Sequence, residues 1–143
     1  MSDSFGRDWI EQHLPHKGPM SLLDEVVRWD FARLIARANG HRDPRHPLRR
    51  DGILPSVCAI EYGAQAVAAH GALLSNGSPA RGVLASVRGV SLRVGRLDDI
   101  EDALDIEVQR LGGASQGLLY AFRVSAAARV LAAGRLAIAL QGR

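Results

Sequence analysis

One long apolar helix, predicted for residues 54–77, constrains the fold of this chain more than any other segment. Pro55 suits the first turn of a helix, because its φ is preset and it has no N–H to leave unpaired. Asn76-Gly77 supplies the left-handed position at which helices commonly end. The intervening residues are apolar or small almost all round, which is typical of a helix buried inside a domain, and they would span roughly 30 Å.

One carboxylate, Glu61, interrupts this helix near its start. Ionised carboxylates are rarely buried without a partner, so we expect Glu61 either to line a pocket or to take part in chemistry. Val57, Ala64 and Gln65 share its helix face by their spacing of three and four residues. An acid and an amide on a stripe of small residues form the main functional signal of the sequence.

Length and composition indicate a single domain, residues 1–143, of an ordinary globular protein with 47% hydrophobic and 23% charged residues. Glu61 and His70 interrupt the one apolar run that approaches the length of a membrane span, so no membrane segment is expected. The charged N-terminus does not have the pattern of a signal peptide. The single cysteine, Cys58, fits a reducing compartment, and we therefore expect a cytoplasmic protein.

Arginine supplies almost all of the positive charge, in a chain whose formal net charge is +3. Genomic base composition alone would explain the excess of arginine over lysine. Nevertheless, Arg45, Arg49 and Arg50 crowd the segment just before the long helix, and such a cluster would steer an acidic partner towards it. Nucleic acid is not the expected partner, since no aromatic residues are interleaved and no helix carries a basic face.

Two strands are predicted before the long helix and four after it. The helix is preceded by a helical turn at 5–12, strands at 21–29 and 32–39, and a loop at 40–52; strands at 81–94, 103–111, 116–126 and 129–140 follow. Gly89 is expected to form a bulge, and Gly112-Gly113 a hairpin connection. The pattern predicts an α+β hotdog fold, in which a curved antiparallel sheet of about six strands wraps one long central helix. A dimer is expected, because one small sheet would not cover this helix fully.

Two segments resemble the hotdog-fold 3-hydroxyacyl-[acyl-carrier-protein] dehydratases of the FabZ/FabA type. Residues 14–26, Leu-Pro-His-Lys-Gly-Pro-Met-Ser-Leu-Leu-Asp-Glu-Val, are similar to the entry motif L-P-H-R-x-P-x-L-L-x-D-x-V. Pro55, Glu61, Ala64 and Gln65 fall on the second motif, H-F-P-x-x-P-x-x-P-G-x-x-x-x-E-x-x-A-Q. The chain is identified as a divergent member of that family. The resemblance implies dehydration of 3-hydroxyacyl thioesters carried on acyl carrier protein to 2-enoyl products, in fatty-acid or polyene-type biosynthesis, without cofactor or metal.

The resemblance also implies the catalytic pair, a general acid at Glu61 and a histidine base from the other protomer of a dimer. The family's histidine falls on Pro47 of this chain, and His46 lies one position early. We therefore expect His46 to be the base, with a solvated loop histidine as the alternative. Histidine suits the role because its ordinary pKa lies near neutrality.

The rest of the predicted pocket lies on the long helix. The backbone N–H groups of Ser56 and Val57 are expected to meet the developing enolate oxygen, and Gln65 to orient the carboxylate of Glu61. Cys58, one turn before Glu61, would line the pocket, unless it is simply a small buried residue. His16 is expected to fix the proline loop through backbone hydrogen bonds.

Other interpretations remain open from the sequence. Glu61 would also suit a salt bridge with an arginine. A metal set of His41, Asp43, His46 and Asp51 is disfavoured by the surrounding arginines. The alternatives to a dehydratase homodimer, or a higher homo-oligomer, are a hotdog acyl-thioesterase and a non-catalytic subunit that forms a heterodimer with an active hotdog dehydratase.

Overall fold

The computed structural model describes residues 4–75, 82–114 and 117–140. Two α-helices and six β-strands make up this part of the chain. In chain order they are α1 (Arg7–His13), β1 (Glu25–Trp29), β2 (Arg33–Ala38), α2 (Ala59–Leu74), β3 (Gly82–Leu92), β4 (Leu104–Ala114), β5 (Gly117–Ala126) and β6 (Arg129–Leu140). Short 3-10 turns lie at Gly18–Met20, Gly40–Arg42 and Ser56–Cys58.

The six strands form one antiparallel sheet in the order β1-β2-β4-β5-β6-β3. Helix α2 packs against β2, β4 and β5 in the middle of this sheet. The predicted α+β hotdog architecture, with one long helix against one sheet of six strands, is confirmed. Neither described helix is long and apolar enough to cross a membrane.

The core lies between α2 and the inner face of the sheet. Leu104, Ile106 and Val108 of β4 are fully buried on that face, as their alternation predicts. Gly63 brings the helix close to β5, since a Cβ atom at Gly63 would lie 3.0 Å from the ring of Phe122. A side chain at this position would therefore push the helix away from the sheet.

The α-helix begins at Ala59, four residues later than the predicted first-turn proline. Pro55 instead precedes the 3-10 turn Ser56–Cys58, and the N–H of Ser56 donates to the carbonyl of Gly95 at 3.1 Å. This bond ties the start of the helical segment to the loop after β3. The predicted stop at Asn76-Gly77 lies outside the described residues.

Two strand boundaries also differ from the sequence prediction by three residues or more. Strand β4 continues through Gly112-Gly113, so the prediction of a hairpin connection there was wrong. Strand β1 begins at Glu25 instead of residue 21, because the backbone of the preceding segment is bonded to α2. The predicted bulge at Gly89 is confirmed by its φ of 57° and by the register shift between Arg88 and Ser91.

The two edges of the sheet differ. The β1 edge is five residues long, and Phe5 bridges to Val26 there. The β3 edge is eleven residues long and, among the described residues, pairs only with β6. Its exposed apolar side chains are Val83, Leu84, Val90 and Leu92.

Candidate active site

Glu61 and His16 meet at the surface beside the first turn of α2. The Oε2 atom of Glu61 lies 3.2 Å from the Nε2 atom of His16, and their side chains are 35% and 29% exposed. The carboxylate is thus partly accessible to solvent and has an imidazole beside it. Among the described residues, no arginine or lysine lies within ion-pair distance of Glu61, so the arginine salt bridge considered from the sequence is not formed.

Gln65 holds this arrangement from one turn further along α2. Its fully buried side chain donates from Nε2 to Glu61 Oε2 at 3.2 Å and to the carbonyl of Met20 at 2.8 Å. Its Oε1 atom accepts the N–H of Leu22 at 2.9 Å. The hydrogen bond expected from Gln65 to Glu61 is present, and the same amide also fastens the proline loop that carries His16.

His16 has a different environment from the one predicted. Its Nδ1 atom is buried without a hydrogen-bond partner, whereas Nε2 faces Glu61. The prediction that His16 fixes the proline loop through backbone hydrogen bonds was wrong. The entry motif around His16 was visible in the sequence, but its distance along the chain from Glu61 concealed the contact.

The structure places His46 on another side of α2, against Tyr62. Its Nε2 atom lies 2.9 Å from the Tyr62 hydroxyl, and its Nδ1 atom accepts the N–H of Leu48 at 3.1 Å. Burial lowers the pKa of His46, and the positive charge of Arg49 lowers it further, so the ring is neutral near pH 7. His46 and Tyr62 line a cavity of about 400 Å³. Within one protomer, the described contacts include none of 4 Å or less between His46 and Glu61.

At the start of the helical segment, only one of the two N–H groups expected to bind the enolate oxygen remains a candidate. The N–H of Ser56 is already bonded to Gly95, whereas Val57 is 51% exposed. Cys58 is half-buried, and burial raises the pKa of its thiol, with a further contribution from the charge of Glu61. The thiol therefore stays protonated near neutral pH, which suits a pocket wall and does not suit a nucleophile.

The arginines of the loop before α2 fall into two groups. Arg45 is 89% exposed and pairs with Asp43 at 3.1 Å, and Arg50 is also exposed. Arg49 is only 14% exposed and donates to the carbonyls of Gly52 at 2.6 Å and Arg42 at 2.8 Å. The structure therefore leaves Arg45 and Arg50 at the surface and uses Arg49 inside the loop.

A buried carboxylate at Asp98 holds the end of this loop, a role that its position in an acidic turn did not reveal. Asp98 accepts the N–H of Leu54 at 2.8 Å and pairs with Arg96 at 2.5 Å. The hydrogen bond from Arg96 holds the pKa of Asp98 well below its usual range. The described residues contain no group of three or more side chains suited to bind a metal ion.

Residues 9–141 match the model of the ApeP-like family, described as ApeP dehydratase. The chain belongs to the ApeP-like dehydratase family. The match spans almost the whole chain and includes both the proline loop with His16 and helix α2 with Glu61. The resemblance to hotdog-fold dehydratases that the two motifs predicted is confirmed.

Solved structures similar to this chain include the dehydratase heterocomplex ApeI:P from Xenorhabdus doucetiae. That chain is 26% identical, with a TM-score of 0.79 over 94% of this chain and 91% of the matched chain. AziG from S. sahachiroi is 16% identical with a TM-score of 0.64, over 87% and 94% of the two chains. A mutant of the thioesterase PA1618 from Pseudomonas aeruginosa, 15% identical with a TM-score of 0.60 over 78% and 76%, shares the fold.

Proposed function

We propose that this chain dehydrates 3-hydroxyacyl thioesters carried on acyl carrier protein to 2-enoyl thioesters, with Glu61 as the general acid and His16 as the base. The observation that carries the proposal is the 3.2 Å contact between the Glu61 carboxylate and the His16 imidazole on the exposed side of α2. Membership of a dehydratase family supports the reaction class. Fatty-acid or polyene-type biosynthesis is the pathway class that uses this step.

The surroundings of His16 decide which nitrogen exchanges protons. The buried Nδ1 atom is out of reach of a substrate, so the exchange passes through Nε2. In the reactive state Nδ1 carries its proton, and a second proton is shared between Glu61 Oε2 and His16 Nε2. When substrate enters and this contact opens, the carboxyl keeps the proton that a leaving hydroxyl needs, and the lone pair of Nε2 becomes free to act as the base.

Dehydration then proceeds between these two atoms. His16 Nε2 takes the proton from the carbon next to the thioester carbonyl, and the electron pair of that bond forms the new C=C bond. The bond to the 3-hydroxyl breaks, and Glu61 protonates the departing oxygen so that water leaves. The N–H of Val57 is the proposed donor to the thioester oxygen, where negative charge develops.

The same contact returns the pair to its starting state. After the reaction the imidazole has gained a proton and the carboxyl has lost one. Because the two atoms are 3.2 Å apart, the proton passes from His16 back to Glu61 without a solvent relay. This reset depends on the two groups lying side by side, as they do here within one protomer.

His46 remains the alternative base, and the resemblance to hotdog-fold dehydratases implies that such a base would face the acid of the other protomer of a dimer. In this chain both of its ring nitrogens are engaged, one by Tyr62 and the other by the backbone of Leu48. Because Nδ1 accepts the N–H of Leu48, the neutral His46 ring carries its proton on Nε2, so no lone pair is free for a base without a change of tautomer. This requirement favours His16.

A second candidate function is that of a subunit in a dehydratase that also contains a different hotdog chain. The open β3 edge, with its exposed apolar residues, supports a partner strand at this position. One of the similar solved structures is itself a dehydratase heterocomplex. For the thioesterase alternative, the comparisons offer only a shared fold.

The experiment that tests the proposal is turnover of 3-hydroxyacyl-pantetheine and of the same acyl group on an acyl carrier protein. The purified chain is assayed alone and together with a second hotdog subunit, and 2-enoyl product and free thiol are measured separately. Enoyl formation by the chain alone supports the proposal. Formation only in the mixture supports the subunit function, and thiol release without enoyl product overturns both in favour of a thioesterase.

A further inference from the structure

Two arginines, Arg88 and Arg135, lie directly opposite each other on the face of the sheet that points away from α2. They are register partners in the β3–β6 pair, and both are exposed. Among the described residues, neither has a carboxylate within ion-pair distance. Like charges directly opposite on neighbouring strands destabilise a sheet. The isolated chain therefore carries an uncompensated repulsion at this position.

The surrounding groove leaves this repulsion unrelieved. A cavity of about 540 Å³ on the outer face is lined by Arg88, Arg123 and Arg135, together with the single carboxylate Glu107. Glu107 already pairs with Arg123 at 2.6 Å and with Arg33 at 3.2 Å. The groove thus has a net positive charge, which favours a partner that brings negative charge to it.

The groove adjoins the one long unpaired edge of the sheet. Arg88 lies on β3, whose outer edge has eleven residues without a strand partner in the described chain. The chain after β3 leads directly to Gly95, which accepts the N–H of Ser56 at the start of the helical segment. A subunit that adds a strand to β3 therefore also approaches the end of α2 that carries Glu61.

A second copy of this chain fits the edge poorly. In a two-fold pairing with full overlap of the two β3 strands, Arg88 stands opposite Ser86 of the partner subunit and diagonal to the partner's Arg88. Diagonal neighbours lie about 7–8 Å apart, within reach of long side chains. Such a homodimer brings the arginine pairs of both copies together on one face, with no carboxylate available to separate them.

We propose that Arg88 and Arg135 make β3 select a different hotdog subunit, one that presents carboxylates on the outer face at the centre of its own edge strand. The proposal rests on the subunit function proposed above, and it names the chemistry of the partner and the residues that choose it. Apolar contacts along β3 drive association, and the arginine pair discriminates between candidate strands.

Self-association gives the first measurement, by sedimentation velocity at low salt. Arg88→Ser should strengthen homodimer formation by about 3- to 10-fold, since like-charge cross-strand contacts are destabilising and recur by symmetry. Added salt should strengthen the wild-type homodimer by screening the same repulsion. Arg129→Ser, the same charge change at the exposed start of β6, is the matched control and should have no effect. Equal effects of the two variants would overturn the proposal.

A designed partner gives the second measurement. The wild-type chain is mixed at low salt with a copy that carries Arg88→Asp and Arg135→Asp, and mixed dimers are counted by native mass spectrometry. Mixed dimers should make up more than the half of all dimers that random pairing of equal amounts would give. Added salt should reduce this excess. Statistical mixing, or no association in any mixture, overturns the proposal.

A small-anion site is the competing interpretation of the groove. If mixing is statistical while inorganic phosphate raises the Tm of the wild type but not that of Arg88→Ser, the groove binds anions and does not select a subunit. None of these measurements uses catalysis. A failure here is therefore distinct from a failure of the proposed dehydration.

Discussion

The Gln65 side chain accepts the N–H of Leu22 at 2.9 Å, and this bond joins helix α2 to the proline loop. The same amide donates to Glu61 and to the carbonyl of Met20. One buried side chain therefore fixes both the carboxylate and the loop that carries the imidazole.

Replacement of Gln65 by methionine tests this positioning role. Gln65→Met keeps the length of the side chain but removes every bond of the amide, and the unpaired backbone groups should cost about 1–3 kcal/mol of stability. We expect kcat to fall by at least about 10-fold, because small displacements of reacting groups are costly. Gln65→Glu keeps an acceptor for Leu22 and should recover part of the stability while kcat stays low. Loss of stability with unchanged kcat would contradict a positioning role.

The loop arginines yield a prediction that separates surface charge from internal structure. Charge reversal at Arg45 and Arg50 should slow association with an acyl carrier protein, most strongly at low salt, since both side chains are exposed. Stopped-flow binding at several salt concentrations measures this effect. Unchanged association rates would mean that the two arginines are only solvated surface.

Arg49→Ala is the matched comparison and should behave in the opposite way. Its guanidinium donates to the carbonyls of Gly52 and Arg42, and hydrogen bonds of charged groups contribute about 1.5–3 kcal/mol. We expect loss of thermal stability with little change in the salt dependence of carrier binding. An Arg49→Ala variant as stable as the wild type would show that these bonds contribute nothing.

The helix and its acid were predictable because both depend on local pattern. An apolar run that begins at Pro55 fixes a buried helix, and the spacing of Glu61 and Gln65 places them one turn apart. The alternation of β4 and β5 similarly fixes which residues enter the core, whereas in β6 the adjacent Leu131 and Ala132 are both buried. These features need no knowledge of the distant chain.

The partner of Glu61 was not predictable in this way. Spacing against a family motif favours His46, but spacing does not show that both nitrogens of His46 are already bonded. His16 reaches Glu61 from a proline loop that is held by hydrogen bonds to Gln65 and to the Arg7 guanidinium. Composition likewise cannot separate the buried Arg49 from the exposed Arg45.

Three buried histidines predict how stability depends on pH. Burial is the largest cause of the lowered pKa values of His41, His46 and His70. His70 illustrates the neutral form, since it accepts the Tyr120 hydroxyl and donates to the carbonyl of Asp30. These groups take up protons more readily in the unfolded chain, so acidification favours unfolding.

The contribution of these three neutral histidines to the free energy of unfolding should therefore be complete above about pH 6.5, the ordinary pKa of histidine. It should decrease as the pH falls below that value. Urea denaturation between about pH 5 and pH 8 measures the slope. His70→Gln should reduce the slope, because one of the three titrating groups is removed. An unchanged slope in this variant would show that His70 does not contribute.

The decisive catalytic prediction compares three single variants of the proposed site. Glu61→Gln keeps the size of the side chain but removes the transferable proton, and turnover of a 3-hydroxyacyl thioester should fall by about 10²–10⁴-fold. His16→Asn should produce a loss of similar order, because it removes the base. Stability should change little in both, since the two side chains are partly exposed.

His46→Asn is the matched histidine control, and it should affect stability more than turnover. The variant loses the contact with Tyr62 inside the protein, so we expect lower Tm with kcat within about 10-fold of the wild type. The double variant Glu61→Gln/His16→Asn should lose much less activity than the product of the two single losses, because both groups act in one step.

If His46→Asn abolishes turnover at unchanged Tm while His16→Asn stays active, the base is His46 and acts across the subunit interface. Because that arrangement separates acid and base between chains, a mixed dimer of Glu61→Gln and His46→Asn subunits would then be active at one of its two sites, although neither homodimer is active. If Glu61 acts with His16 in one protomer, the His46→Asn homodimer is already active and mixing restores nothing.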